Sequence, residues 1–275
     1  GVWKTIDGGD NWMPLGDYFS NLRVYSVTIH PANSNHYFFG STNGLIYHSL
    51  DAGATWNLLG DMGSSSVNKI LVHPTDPSII FATSQNGGIR KSSDGGLNWV
   101  AAVTDSQGYD IEFKPNNPNV VYATGTNFHV SYNGGESFST NVTFESAPKM
   151  IGVSPSDENV IYVLEASGGS FGGIYKSVNA GFTFSELDHE GRNYFGYDTA
   201  GFDSGGQAPR DMDIAVNPED ANEVHIAGVL TWKSTDGGEN FYCTSDWVPG
   251  NAENANIGYC HADVDLLLFN GTTLF

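Results

Sequence analysis

Lys233 to Phe241 reads KSTDGGENF, and this phrase is one of six in the chain. Lys4–Trp12 reads KTIDGGDNW, His48–Trp56 reads HSLDAGATW and Lys91–Trp99 reads KSSDGGLNW. Val130–Phe138 reads VSYNGGESF and Lys176–Phe184 reads KSVNAGFTF. The fourth position is Asp7, Asp51, Asp94, Asn133, Asn179 and Asp236, at separations of 44, 43, 39, 46 and 57 residues. Each phrase suits a tight reversal between two short strands. The Asp or Asn side chain is expected to accept backbone N–H groups two residues on. The glycine supplies positive φ at no steric cost, and the closing Trp or Phe folds under the hairpin to pack between sheets. These six positions are therefore read as structural.

A second phrase precedes each box from the second onward. It is an alternating apolar strand that ends in a Pro turn, as in NKILVHPTDPS (68–78), YDIEFKPNNPN (109–119) and MDIAVNPEDAN (212–222). Proline leaves the ladder because it cannot donate to it. A β-branched and aromatic strand follows, such as HYFFGS, IIFATS or VVYATG. The order is strand A, Pro turn, strand B, short loop, strand C, box hairpin, strand D. Four short strands repeated every 40–50 residues or so define an all-β propeller of four-stranded antiparallel blades.

About six blades are expected, five of them complete, in a single domain over 1–275. The first box lacks its own strands A and B. HADVDLLLFNGTTLF (261–275) reads as strands A and B without C and D. The two halves either pair to close a six-bladed ring or are cuts through a larger propeller. Strand-like patterns at both ends suggest a piece of a longer protein with other domains. In this arrangement the D-to-A and B-to-C loops share one face and the boxes lie on the other.

The chain holds 31 acidic and 11 basic residues, a formal net charge of -20. Such a field repels phosphate backbones and anionic membrane surfaces, which excludes nucleic acid as an expected partner. No apolar run is long enough to predict membrane insertion. The acidity suits a salty or extracellular medium and attracts cations, so a bound calcium is allowed while no cofactor is demanded.

The six phrases resemble the S/T-x-D-x-G-x-T-W pattern of BNR/Asp-box proteins across the whole chain. That family includes sialidases, xyloglucan-cleaving glycoside hydrolases, sortilin-type receptors and photosystem assembly factors. Residues 206–241 followed by CHADVD (260–265) look similar to propeller modules of large exported bacterial proteins, some with a C-terminal sorting domain. The resemblance is specific for fold and weak for function, since one fold hosts many sites.

A sialidase needs an arginine cluster for the substrate carboxylate. This chain has only Arg23, Arg90, Arg192 and Arg210, and no F-R-I-P phrase. A xyloglucanase-like enzyme needs two carboxylates across a cleft. Asp110, Asp198, Asp203, Asp211, Asp213, Asp263 and Asp265 are available, with Asp211 and Asp263 the catalytic candidates. Such enzymes use two facing propellers, and this chain supplies at most one.

Loops carry function more often than the scaffold does, and two D-to-A loops are long. The first, 185–209, offers His189, Arg192, Tyr194, Tyr197, Asp198 and Asp203 and leads into Arg210 and Asp211. The second, 244–259, offers Trp247 and leads into His261, Asp263 and Asp265. Ligand contacts are expected from Arg192, Tyr194, Tyr197, Asp203, Arg210, Trp247 and His261. Within DTAGFDSGG (198–206), Asp198 and Asp203 are the calcium candidates, because hard cations want several oxygens.

Cys243 and Cys260 flank the second loop. A disulfide between them would stabilise by about 3 kcal/mol and imply an oxidising compartment. Asn141 and Asn270 lie in N-x-T sequons. The leading expectation is an extracellular or cell-surface propeller that binds a glycan or protein ligand without catalysis. A xyloglucanase-type hydrolase and an adhesion or assembly scaffold are the alternatives.

Overall fold

The computed structural model describes residues 1–19, 23–63, 65–144 and 147–275. It is a nearly all-β chain with the strand order of a β-propeller. The chain divides into two compact units. The first comprises Gly1–Phe113, Pro118–Gly125 and Ser131–Ser139; the second comprises Lys114–Asn117, Thr126–Val130 and Thr140–Phe275.

In the first unit, β1 (Val2–Lys4) pairs with β2 (Met13–Leu15). A four-stranded sheet follows from β3 (Val24–Ile29), β4 (Tyr37–Ser41), β5 (Leu45–Ser49) and β6 (Asn57–Asp61). The next sheet is β7 (Val67–Val72), β8 (Ile80–Ser84), β9 (Gly88–Ser92) and β10 (Val100–Ala101). All pairings are antiparallel and sequential. Each residue of β4 and β8 is buried, because these strands are covered on both faces and do not alternate between inside and outside. Phe38, Ile46, Met62, Val67, Ile70 and Ile80 form one core. The sheets approach so closely that a Cβ on Gly40 would lie 2.5 Å from Val67. Lys69 on β7 pairs with Asp110 at 2.8 Å and with Glu112. Burial opposes its charge, but the two carboxylates raise its pKa above the usual lysine value.

A further sheet has the order β11 (Asp110–Lys114), β12 (Asn117–Thr124), β13 (Asn127–Ser131) and β14 (Ser139–Thr143), and the division between the units runs through it.

In the second unit lies the sheet β15 (Lys149–Val153), β16 (Ile161–Ser167), β17 (Ser170–Ser177) and β18 (Ser185–Glu186). It is followed by β19 (Asp213–Val216), β20 (Val224–Ala227), β21 (Thr231–Ser234) and β22 (Tyr242–Cys243). Tyr162, Leu164, Ile174, Ile214, Ile226 and Trp232 belong to the core of this unit. The five four-stranded sheets are those expected from the repeat.

The boxes share one hydrogen-bond plan. Ser49 Oγ donates to Asp51 Oδ1 (2.8 Å) and accepts the Gly53 amide (2.8 Å). Asp51 Oδ1 accepts the Thr55 amide (2.8 Å), and its Oδ2 accepts the Thr55 hydroxyl (2.6 Å). The side chain thus reaches the amide four residues on, rather than two as expected, because the preceding Ser or Thr takes the nearer amides. Where Asn replaces Asp the plan inverts at one atom: Asn133 Nδ2 donates to Ser137 Oγ, and Asn179 Nδ2 to Thr183 Oγ1. Donors converging on the carboxylates, Thr55 foremost for Asp51 and Asn240 for Asp236, hold both pKa values down to about 2.

The C-terminal stretch differs from expectation. Residues 261–268 form no strand; after β23 (Ser245–Asp246) and β24 (Gly258–Tyr259), β25 (Phe269–Asn270) and β26 (Thr273–Leu274) make a small hairpin. The segment's amides are used elsewhere. Val264 N–H donates to the Gly228 carbonyl (3.0 Å) and Leu267 N–H to Asp213 Oδ2 (2.7 Å). Leu267 then packs on Ala215 and Ala227. The turn of the hairpin is Gly271–Thr272, with Gly271 at φ +59°.

The second long loop is also more ordered than a loop. Strand β23 (Ser245–Asp246) pairs in parallel with β24 (Gly258–Tyr259) around the helix α1 (Pro249–Ala255). Both cysteines are free, so the expected disulfide is not formed. The parallel register sets Cys260 level with residue 247, four residues beyond Cys243. The Cys260 amide donates to the Asp246 carbonyl (3.2 Å), which seats Cys260 at the far end of β23 while Cys243 ends β22 before it. The Cys243 thiol contacts the Ser245 carbonyl instead (3.1 Å).

Candidate functional site

The first long loop is built around Asn193, which is 7% exposed. Its Oδ1 accepts the Phe171 and Phe195 amides (2.9 and 3.3 Å). Its Nδ2 donates to the carbonyls of Asp203 and Gly205 (3.2 and 2.6 Å). Tyr194 and Phe195 are driven into the core, where Trp232 Nε1 donates to the Tyr194 carbonyl (2.8 Å). His189 is fixed at both ring nitrogens. Its Nε2 donates to the Gly238 carbonyl (2.8 Å), which leaves Nδ1 to accept the Tyr194 hydroxyl (2.8 Å). Burial lowers its pKa, which keeps this ring neutral.

Gly238 belongs to a box. The loop therefore begins against a box hairpin and ends at the β16–β17 turn, where the Ala208 amide meets the Gly169 carbonyl (3.2 Å). It is not confined to the face opposite the boxes, as the sequence reading had it. Its apolar anchors, Leu187, Tyr194 and Phe195, are buried along the edge of the sheets and draw it across.

A cleft of about 550 Å³ opens between β17 and this loop, lined by Phe171, Gly172, Gly173 and residues 186–192. A second hollow of about 310 Å³ shares Asp188, His189, Glu190 and Arg192 and adds Tyr194 and residues 239–241. Glu186, Asp188, Glu190 and Glu239 are exposed, and none has an ion-pair partner among the described residues. Arg192 is committed to the Ala200 carbonyl (2.6 Å) and to the Phe202 ring (4.1 Å).

The expected ligand residues divide. Arg192 lines the cleft and Tyr197 is exposed beside the loop. Tyr194 is 3% exposed and supports His189. Asp203 Oδ2 accepts the Tyr197 amide (2.7 Å), and Asp198 accepts the Ala200 and Phe202 amides (3.1 and 3.4 Å). These oxygens hold the loop's own backbone. Among the described residues no three His, Cys, Asp or Glu side chains converge on a metal position.

The catalytic candidates do come together. Asp211 is 3% exposed at the entrance to β19. Burial, with the charges of Asp263 and Asp265, pushes its carboxyl up to about 6 against the pull of Arg210. Gln207 donates to Asp263, and Arg210 pairs with Asp265. His261 turns its Nδ1 to the Ala262 carbonyl (3.2 Å) and Trp247 is 43% exposed before α1; neither is drawn into this cluster.

Sequence reasoning missed Glu186, Asp188, Glu190, Asn193 and Phe171. One signal for three of them was present. In SELDHEG the acids fall at every second position, which is one side of an extended chain.

The repeated boxes and four-stranded sheets place the chain among the Asp-box β-propellers. Residues 1–264 match the family described as "Photosynthesis system II assembly factor YCF48", and the chain belongs to that family. No curated protein sequence matches the chain significantly. Among solved structures, an ancestral GH74 enzyme is 21% identical with a TM-score of 0.63, covering 88% of this chain and 35% of its own. The GH74 xyloglucanase from Xanthomonas campestris is 15% identical with a TM-score of 0.63, covering 96% and 46%. YCF48 bound to D1 peptide is 16% identical with a TM-score of 0.60, covering 98% and 80%. The chain thus spans less than half the length of these GH74 enzymes. At such identities the likeness concerns the fold.

Proposed function

We propose that the chain is a non-catalytic, extracellular or cell-surface propeller that binds a protein partner through the cleft beside β17. The observation that carries this reading is the cleft itself, which is walled by carboxylates without cationic partners and floored by glycine backbone. Membership of a family in which a YCF48 is seen with a peptide supports a protein rather than a glycan partner. The acid excess of the surface suits a salty exterior.

The hydrolase reading is weaker on geometry. Retaining glycosidases hold their carboxyl groups about 5 Å apart, and inverting ones further. Asp211 is 3% exposed, so it presents almost no surface to a sugar chain lying between it and Asp263.

The test is to screen the chain against a peptide array and a glycan array together, with reducing-sugar release followed on every glycan hit. Peptide hits without sugar release are expected. Glycan hits alone, or release that disappears in Asp211→Asn, would overturn the proposal.

A further inference from the structure

We propose that the cleft takes an extended, lysine- or arginine-bearing peptide as an added strand along β17; this deepens the protein-binding reading and rests on it. Strand β17 pairs with β16 along its length, from Ile161↔Ser177 to Ser167↔Ser170. On the other side it pairs with β18 only at Tyr175 and Lys176, and the Leu187 amide adds one bond to the Ile174 carbonyl (3.0 Å). Among the described residues Gly172 and Gly173 have no strand partner on that edge; the neighbouring Phe171 amide is held by Asn193 Oδ1 (2.9 Å). An unpaired edge is a template for another chain.

Two features keep the edge open. His189 is tied to the Gly238 carbonyl and the Tyr194 hydroxyl, so the chain that would continue β18 is pulled away from β17. Gly172 and Gly173 carry no side chains, and the register shifts between Glu165 and Ala166 opposite them. A bulge of this kind re-aims the strand edge, and bare backbone admits close approach by another backbone.

Charge selects the occupant. Glu186, Asp188 and Glu190 alternate along the opposite wall, exposed and without ion-pair partners among the described residues. Glu239 adds a fourth carboxylate beside the adjoining hollow. Arg192, the basic residue of the wall, is occupied by the Ala200 carbonyl and the Phe202 ring. An acidic peptide meets repulsion here. A strand with basic residues at alternate positions places its cations against this wall while its backbone meets β17.

The probe is a short capped peptide of alternating lysine and threonine, measured by calorimetry against the whole chain. Two controls carry the same charge: one with alternate backbone amides N-methylated, the other interrupted by proline. The proposal expects binding of the plain peptide, loss with both controls, and weakening by about tenfold in Asp188→Asn/Glu190→Gln. Both substitutions lie on exposed side chains and leave the core untouched. Equal binding of the N-methylated peptide would mean diffuse attraction to an acidic surface and would overturn the strand geometry. Unchanged affinity in the double variant would overturn the location. If other peptides bind on the array while the lysine peptide does not, this inference fails and the protein-binding reading stands. If no peptide or protein binds at all, both fail.

Discussion

Ser49 and Asp211 show at single-residue scale how the same physics gives a scaffold atom and a tunable one. Ser49 is fully buried, and its hydroxyl serves both the Gly53 amide and Asp51. Ser49→Ala leaves that amide buried and unpaired, so urea titration is expected to show a loss of about 1–3 kcal/mol. An unchanged midpoint would mean that water replaces the hydroxyl. Asp211 is buried with its pKa raised to about 6 by desolvation, then by Asp263 and Asp265, with Arg210 opposing. The sign follows from linkage. The folded chain holds this proton more tightly than the unfolded chain, so stability is full below about pH 4 and is lost as pH rises through 6. With the exposed partners screened, the loss is on the order of 2 kcal/mol. Asp211→Asn keeps the neutral form at every pH. Its melting temperature is expected to exceed that of the parent at pH 7.5 and to match it near pH 4.5; a uniform offset at both would assign the effect to packing.

At the scale of elements, the blades were legible because an alternating strand, a Pro turn, a β-branched and aromatic strand and a box recur in the same order. β4 and β8 read directly from YFFGS and IFATS, in which every residue is buried since both faces are covered. The 261–268 segment was not legible, because HADVDLLL has the pattern of a strand while its amides are taken by Asp213 and Gly228. The disulfide failed for a similar reason: a parallel pair, β23 with β24, sets a register that sequence spacing does not reveal. Two outcomes follow. Burial pushes the Cys243 thiol up to about 11, so an alkylating reagent at pH 8 is expected to modify it slowly in the native chain and quickly in denaturant. Two disulfide-bonded cysteines by mass would contradict the register. Lys149 on β15 is fully buried and pairs with Glu165 on β16 at 3.1 Å. Lys149→Ala removes the cation facing the buried Glu165 and is expected to cost about 3–5 kcal/mol, while Lys149→Met/Glu165→Leu is expected to be near neutral or stabilising. Chemical denaturation of both variants checks this, and equal losses would mean that the pair contributes more than it costs to desolvate.

For the whole molecule, the dominant quantity is a net charge of -20 set against a cleft and adjoining hollow lined by only four of the 31 acids. The two act on different rate constants. Long-range attraction of a cationic peptide comes from the summed field and governs how fast it arrives. Hydrogen bonds along β17 and contacts with Asp188 and Glu190 govern how long it stays. The Debye length falls from about 10 Å at 0.1 M salt to about 3 Å at 1 M. The association rate of the lysine–threonine peptide is therefore expected to fall by about tenfold or more between low and high salt, with dissociation changing little. Asp188→Asn/Glu190→Gln removes two acids and leaves the field nearly whole. Stopped-flow measurements should then give the double variant almost the same salt slope for association but a faster dissociation. If dissociation were unchanged and only the slope fell, the peptide would be held by the field of the surface as a whole, and the cleft would have no part in retaining it.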